Sequence, residues 1–371
     1  MFVDWKQAYS RQCHTLGVKS FLKNGVRASI IPLLISYFED REMLVKWHGK
    51  LSQPRRLPGG GAMGANLGNW EFLSQTNNNA DCVPVEDRFK FMDDLSTIEI
   101  INLLTIGLSS VYMKNQVPSD IPTHGQFVDG SRLKSQNYLN EINRWTEEHK
   151  MIISEKKTKA MIFNFTDHYQ FTTRLNLKGS NIEVVDKMKI LGTIVKANLS
   201  WDENCDLLTK KVNARMQLLR GVQSFGASLK EMTHLWILFC RSVLEQSCVV
   251  WHSSLTQDNI DDLERTQKTF AKLVLRDRYT TYEDSLIKLN LESLSERRQN
   301  LCLKFAKNGI KHNIMSDLLP INAKNHEMKT RNEEKYAVKF ANTKRLKTGS
   351  VITMQNYLNE DERQSRTRNC G

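Results

Sequence analysis

The chain has 371 residues, enough to bury a sizeable core, which suggests two domains or one large one. Its formal net charge of +12 favours an anionic partner such as nucleic acid, with a merely basic soluble protein as the alternative. Its seven cysteines include no Cys-x-x-Cys pair, which argues against a disulfide framework and a zinc knuckle. No apolar run approaches a membrane span of roughly 18 residues, which argues against a membrane protein and against secretion.

The chain begins with a short apolar run that ends at Asp4. This pattern is typical of a buried strand that delivers an acidic side chain at its carboxyl end. Apolar positions at helical spacing then predict a helix that begins near Pro32. Met43–Trp47 predict a strand that turns at His48 and Gly49.

Three glycines, Gly59, Gly60 and Gly61, follow Pro58, and Gly64 comes shortly after them. Glycine accepts positive φ angles and allows the backbone to approach a ligand closely. The run therefore predicts either a ligand-binding loop or a flexible surface loop.

The aspartate pair Asp93 and Asp94 is the feature around which we expect the first part of the chain to be organised. Phe89, Phe91 and Leu95 alternate with other residues, which predicts a β-hairpin with the pair at its tip. Adjacent carboxylates repel each other unless a cation neutralises them, although Asp-Asp is also common turn chemistry. The spacing of the residues 96 and 99, Ser and Glu, predicts a capping box that opens a helix through Leu104.

Downstream, the pattern predicts a helix over 135–150, a basic turn at 156–158, a strand over 160–165 and a hairpin over 175–185. A further strand over 189–195 is interrupted at Gly192, as at a bulge or a close backbone contact. From Trp201 the period becomes helical, with basic residues beside the apolar faces, and Arg297 and Arg298 extend this basic surface.

Five stretches taken in order resemble the palm motifs of reverse transcriptases of the non-LTR (LINE-like) retrotransposon type. They are Val3–Tyr9, Leu57–Gly68, Phe91–Asp94, Glu155–Lys159 and Lys189–Ile194. The resemblance covers about residues 1 to 300. It implies an α+β fold: a palm with a small antiparallel sheet and packed helices over 1–200, then an α-helical thumb over 201–312. Residues 313–371 are basic with few apolar positions and are expected to be a loose or disordered tail.

The resemblance also implies a site for two-metal nucleotidyl transfer. Asp4, Asp93 and Asp94 would hold two Mg²⁺ ions, with Mn²⁺ as a substitute. Lys157 would lie near the departing pyrophosphate, with a solvated basic turn as the alternative. The residues implied in substrate binding are Tyr9, Gly60, Gly61, Gly64 and Met92. Leu191 and Gly192 would contact the primer end.

The implied function is RNA-directed DNA synthesis, with an RNA template, a DNA primer and deoxynucleoside triphosphates as partners, and with an intracellular location in the cytoplasm or nucleus. The family carries a fingers region before the position of Asp4, so the chain reads as a fragment that lacks it. The family also has Pro-Gln where this chain has Ala62 and Met63. These departures favour two alternatives: a catalytically inactive retrotransposon remnant, and a basic nucleic-acid-binding module without chemistry. The oligomeric state is left open.

Overall fold

The computed structural model describes residues 1–57, 59–61, 64–101, 126–128, 133–164, 171–321, 335–338 and 340–368. The chain divides into two compact units, Met1–Asp186 and Lys187–Gly371. Helices and small sheets occur together, which confirms the α+β class, whereas the palm and thumb architecture stays a prediction. No helix of the described residues is both long enough and apolar enough to cross a membrane.

The first unit is built on short strands. They are β1 (Phe2–Val3), β2 (Glu42–Met43), β3 (Lys46–Trp47), β4 (Lys50–Leu51), β5 (Arg55–Arg56), β6 (Arg88–Phe91), β7 (Asp94–Thr97), β8 (Gln126–Val128), β9 (Lys159–Ala160), β10 (Phe171–Thr173), β11 (Asn176–Leu177), β12 (Ser180–Asn181) and β13 (Glu183–Val184). Five of them form one sheet in the order β13-β9-β1-β7-β6. Strand β1 lies in the middle and pairs antiparallel with both β7 and β9.

Helices of the first unit pack beside these strands. They are α1 (His14–Lys23), α2 (Ile31–Phe38), α3 (Asn66–Thr76) and α4 (Lys134–Glu148), with 3₁₀ turns at Tyr9–Arg11, Ala28–Ile30 and Val85–Asp87. Strand residues Val3 and Leu95 share one buried cluster with Phe72 of α3 and with Leu139 and Ile142 of α4. This core holds β1 and β7 rigidly, because apolar side chains from both helices bury the same face of the sheet.

The capping box predicted for residues 96 and 99 is wrong. Ser96 belongs to β7 and pairs with both Phe2 and Phe89, so it cannot cap a helix. The Glu99 carboxylate instead accepts hydrogen bonds from the backbone amides of Lys134 (3.0 Å) and Ser135 (2.9 Å). It thus satisfies free amide groups at the start of α4, where a negative charge is favourable. The predicted helix end, 102–104, lies outside the described residues.

The second unit is mostly helical. Its elements are β14 (Lys187–Ile190), β15 (Thr193–Lys196), α5 (Asp202–Ser224), α6 (Leu229–Leu235), a π-helix (Trp236–Arg241), α7 (Ser242–Leu244), α8 (Cys248–Trp251), α9 (Gln257–Leu275), α10 (Tyr282–Leu289), α11 (Leu294–Lys311), α12 (Lys344–Lys347) and α13 (Ser350–Arg368), with 3₁₀ turns at His252–Ser254 and Arg276–Arg278. Its core is centred on the fully buried rings of Trp236 and Phe270, which stack at 4.6 Å.

The compact units divide after Asp186, whereas the sequence placed the palm–thumb boundary at 200/201. Hairpin β14–β15 is tied to α5, because the Ile194 amide donates to Asn204 Oδ1 (3.1 Å) and Glu203 pairs with Lys187 (2.8 Å) and Lys196 (3.3 Å). These contacts give the hairpin to the second unit. The assignment of palm and thumb to the units stays a prediction.

The end of the chain differs from the loose tail that its polar composition predicted. Ser350–Arg368 forms the helix α13, and its Met354 and Leu358 are buried with Tyr336 and with Ala306 of α11. A few well-spaced apolar residues are sufficient here, because they meet a partner helix that supplies the rest of the cluster.

Candidate active site

Asp4 follows directly on β1, and the register of the sheet determines its neighbours. Phe2 pairs with Ser96 and Val3 with Leu95, so the same register continued by one residue sets Asp4 opposite Asp94. The prediction that the acidic residues come from adjacent strands is confirmed. Val3 and Leu95 are buried while Asp94 is exposed, so the alternation of the strands delivers the acids to the solvent side.

The hairpin that carries the aspartate pair is confirmed as predicted. Strands β6 and β7 pair from Arg88 with Thr97 to Phe91 with Asp94, which leaves Met92 and Asp93 as the connecting turn. Met92 has a φ of 56°, a left-handed backbone conformation that suits glycine at the first position of such a two-residue turn. A non-glycine residue held in this conformation stores strain, which is a common feature of functional sites.

The three carboxylates influence one another electrostatically. Although Asp94 is exposed, partial desolvation by its neighbours raises its pKa above the ordinary value, and the negative charges of Asp93 and Asp4 raise it further. Lys157 Nζ lies 3.5 Å from Asp4 Oδ1, and both side chains are partly exposed. The site therefore holds three acidic groups near one lysine, and it retains uncompensated negative charge.

Lys157 is positioned by Ser154, which the sequence did not single out, and by Thr158, which the sequence placed in the basic turn without a role of its own. The Asp4 amide donates to Thr158 Oγ1 (3.3 Å), and the Asp4 carbonyl accepts from the Ser154 amide (2.8 Å). The Thr158 amide in turn donates to the Ser154 carbonyl (2.8 Å), which closes a tight turn around Lys157. The signal was a Ser shortly before the basic turn and a Thr at its end, since hydroxyl side chains often fix such turns.

Tyr9 and the glycine run lie against each other. The Gly61 amide donates to the Tyr9 carbonyl (2.8 Å), and the Gly60 amide donates to the Gln12 carbonyl (2.8 Å). The Tyr9 ring stacks on Phe72 at 4.5 Å between centroids. Burial raises the pKa of Tyr9, and the charge of Asp93 raises it further, so the ring and the aspartate turn are electrically coupled.

At two positions of the run, steric constraints require glycine. Gly60 has a φ of 95°, and its carbonyl accepts from Arg41 (3.3 Å) and lies 2.9 Å from His14 Nε2. A Cβ at Gly61 would lie 1.9 Å from Gln12 Oε1. The run is therefore a fixed turn over Tyr9–Gln12 and not the flexible surface loop of the alternative interpretation.

Gly64 has a φ of 86° and precedes α3, and a Cβ there would meet nothing within 4 Å. Its role in substrate binding stays a prediction. Pro58, Ala62 and Met63, which include the departure from Pro-Gln, lie outside the described residues.

Leu191 and Gly192 belong to the second unit, where they connect β14 and β15. Both have positive φ angles, 46° and 88°, which is the pattern of a two-residue hairpin turn. Of the two alternatives predicted at Gly192, the bulge is wrong, whereas the close contact is present, because a Cβ at Gly192 would lie 2.5 Å from Gln246 Nε2. The Leu191 carbonyl accepts a hydrogen bond from Nε2 of Gln246 (3.3 Å), a residue that follows α7. This contact fixes the position of the turn.

The acidic residues have the chemistry that a hard divalent cation requires. Mg²⁺ prefers carboxylate oxygens, and a cation would relieve the repulsion that raises the pKa of Asp94. Within the described ranges, however, no group of three His, Cys, Asp or Glu side chains is as close together as a metal ion requires. The donor set therefore has the chemistry of a divalent-cation site, whereas its described geometry does not by itself form one.

Comparison with known proteins bears on the family resemblance and not on the arrangement of these residues. No family model matches the chain. Over 220 residues, which are 59% of this chain, it is 24% identical to a Drosophila melanogaster protein named "Probable RNA-directed DNA polymerase from transposon BS". The aligned part is only 22% of that protein's length. The similarity supports the resemblance to reverse transcriptases of transposable elements.

Proposed function

We propose that the chain is the part of a non-LTR retrotransposon reverse transcriptase that carries the nucleotidyl-transfer site. The observation that carries the proposal is the meeting of Asp4 and the Asp93–Asp94 turn on adjacent strands, with Lys157 beside them. The similarity to a protein named as a transposon polymerase gives independent support.

Each residue of the site would have a distinct task. Asp4, Asp93 and Asp94 would hold two divalent cations, which stabilise the attacking and leaving oxygens of a phosphoryl displacement. Lys157 would neutralise or protonate the departing pyrophosphate. Tyr9, stacked on Phe72, would form a rigid floor under the sugar of the incoming nucleotide.

The glycine run would fit the same mechanism as a backbone surface for the substrate. Gly60 and Gly61 carry no side chains, so a nucleotide could approach their peptide groups closely. Their hydrogen bonds to the backbone of Tyr9 and Gln12 fix the distance between this surface and the tyrosine ring. Such fixed positioning is how enzymes lower the barrier of a bimolecular step.

The central test replaces one ligand without changing its shape. Asp93→Asn should abolish addition of nucleotides to a primer on an RNA template, because one carboxylate of the cation site is lost. It should also weaken Mn²⁺ binding, measured by titration calorimetry, by roughly tenfold or more. The remaining carboxylates cannot replace the lost negative charge. Asp317→Asn, an exposed aspartate of the second unit, is the matched control and should change neither.

The Mn²⁺ titration also separates the alternatives. A chain that binds Mn²⁺ through Asp93 but fails to extend primers would be the catalytically inactive remnant. A chain in which Asp93→Asn leaves Mn²⁺ binding unchanged has no metal site there. In that case the proposed chemistry is wrong, and a basic nucleic-acid-binding module without chemistry is the remaining interpretation.

A further inference from the structure

A two-stranded ribbon in the first unit has every residue from 42 to 56 exposed. Its inner ladder joins β2 and β5, and its outer ladder joins β3 and β4. The turn residues His48 and Gly49 have φ angles of 45° and 78°, the combination that matches the twist of paired strands. A two-stranded ribbon without a core of its own is only marginally stable, so its exposed side chains need a reason beyond folding.

The tip of the ribbon presents an aromatic ring. Trp47 is 74% exposed, and it lies directly opposite Lys50 in the register. Its ring meets the ring of His48 edge-on, with centroids 4.9 Å apart and planes at 88°. This contact involves the edge of one ring, so the indole remains largely open to a flat partner.

Cations surround this ring. Among the residues that the structure describes, no acidic side chain pairs with Lys46, Lys50 or Arg55, whereas Arg56 pairs with Asp40 at the base. Glu42 is the single acidic residue between positions 42 and 56. The outer part of the ribbon is thus strongly positive, which favours a polyanion.

We propose that the ribbon 42–56 binds single-stranded nucleic acid, with Trp47 stacked on a base and with Lys46, Lys50 and Arg55 on the flanking phosphates. An exposed ring between unpaired cations is the combination that single strands require, because every base offers a flat face and every link a charge. The ribbon is a contact outside the carboxylate site, and its residues take no part in the proposed chemistry.

A protein partner is less well matched to this surface. The exposed apolar residues of the ribbon would suit one. Met43 and Leu51, 50% and 65% exposed, each face a basic residue across the ladder, Arg55 and Lys46, whereas Leu44 and Val45 lie between the two ladders. A protein would have to supply acids at each of these places. A nucleic acid supplies its charges at regular spacing along its backbone.

The charge test uses fluorescence anisotropy of a labelled oligouridylate with the full chain at several salt concentrations. Replacing Lys46, Lys50 and Arg55 together by Ala should weaken binding by roughly tenfold and reduce the slope of log affinity on log salt by about two, since each phosphate contact on a single strand contributes about 0.7. The control replaces Lys19, Lys23 and Arg27, which are also exposed and carry the same total charge. An equal loss in both triple variants would overturn the proposal, because the effect would then be net charge alone.

The stacking test concerns Trp47 alone. Trp47→Ala should weaken oligouridylate binding by roughly fivefold or more, whereas Trp47→Phe should retain most of the affinity because a ring remains. Unchanged binding of Trp47→Ala would contradict the proposal. The proposal would also be contradicted if a ribbon variant lost its binding to phosphatidylserine vesicles, an anionic membrane surface, but kept its affinity for the oligouridylate. Trp47→Ala should keep the Mn²⁺ binding of the wild type, because no ribbon residue belongs to the carboxylate site, so a failure at the ribbon is distinguishable from a failure at the carboxylate site.

Discussion

Glu71 shows at the scale of one residue where the sequence pattern misleads. Its neighbour Trp70 on α3 is 65% exposed, whereas Glu71 is fully buried, and neither of its carboxylate oxygens has a hydrogen-bond partner in the described part of the chain. Oε1 is close to where a Cβ on Gly17 would be, at 2.9 Å. A polarity pattern read from the sequence would place the tryptophan inward and the glutamate outward, because it cannot show which side of a helix meets its neighbours.

Burial raises the pKa of Glu71 to about 7, and the charge of Arg41 opposes this increase. The folded state therefore holds the proton more tightly than the unfolded chain, whose ordinary value is 4.5. Stability from this group is fully present below pH 4.5, decreases as the pH rises through about 7, and is then lost. The shift corresponds to about 3 kcal/mol between these limits.

We expect Glu71→Gln to remove this pH dependence. At about pH 8 it should stabilise the chain by roughly 1–3 kcal/mol, because no charge has to be buried, and at acidic pH it should change little. Urea unfolding at the two pH values measures the difference. The control is Glu148→Gln, an exposed residue of α4. If Glu71→Gln were as stable as the wild type at both pH values, burial of Glu71 would not disfavour its ionised form, and the prediction would be wrong.

At the scale of elements, the sequence predicted paired strands well where polarity alternates. The alternation of Phe89, Phe91 and Leu95 with other residues predicted the hairpin of the aspartate pair, and the structure confirms it. The β14–β15 turn was missed because Leu191 and Gly192 do not form one of the common turn dipeptides, although both adopt positive φ. The approach of Asp4 to Asp94 could be predicted only through the family resemblance, because pairing between distant strands leaves no local signal.

Gly192 allows the contact of this turn with Gln246 to be tested. A Cβ at Gly192 would lie 2.5 Å from Gln246 Nε2, the atom that donates to the Leu191 carbonyl. Gly192→Ala should therefore destabilise the second unit in two ways. The left-handed backbone of the new residue costs roughly 1–2 kcal/mol, and displacement of Gln246 costs a further 0.5–1.5 kcal/mol or so from the lost hydrogen bond.

Gly226→Ala separates the two contributions. Gly226 lies in the same unit and has a φ of 86°, close to the 88° of Gly192, but a Cβ there would meet nothing within 4 Å. Thermal or urea unfolding of the two variants should differ by the contribution of Gln246 alone. If both variants lose the same stability, the contact between Gln246 and the turn contributes nothing.

At the scale of the whole molecule, the net charge of +12 indicated a polyanionic partner but not which cations could reach it. Arg298 was predicted on a basic surface with Arg297, and this is wrong for Arg298, which is fully buried beside the Trp251 ring at 5.7 Å. Arg297 pairs with Glu245 (3.1 Å), and Lys307 pairs with Asp361 (2.7 Å). Pairing and burial depend on the fold, so a count of charges overestimates the surface that can bind phosphates.

The cations that remain accessible on α5 are the better candidates for a duplex. Among the described residues, Lys210 and Lys211 have no acidic partner; Lys210 is exposed, and Lys211 is half-exposed at the edge of the face that buries Leu208 and Val212. We expect replacement of both lysines by Ala to weaken binding of an RNA–DNA duplex. Because each phosphate contact contributes about 0.9 to the slope of log affinity on log salt, the slope should fall by about two.

A matched pair of lysines decides whether position or only charge matters. Lys344 and Lys347 are exposed on the short helix α12 of the same unit, and their replacement removes the same two charges. A filter-binding titration over salt should show a clearly smaller effect for this pair, since charges far from bound phosphates act only through a field that salt screens within about 10 Å. If the slope of log affinity on log salt were equal for the two double variants, net charge alone would attract the duplex. The proposal that α5 is a nucleic-acid-binding surface would then be wrong.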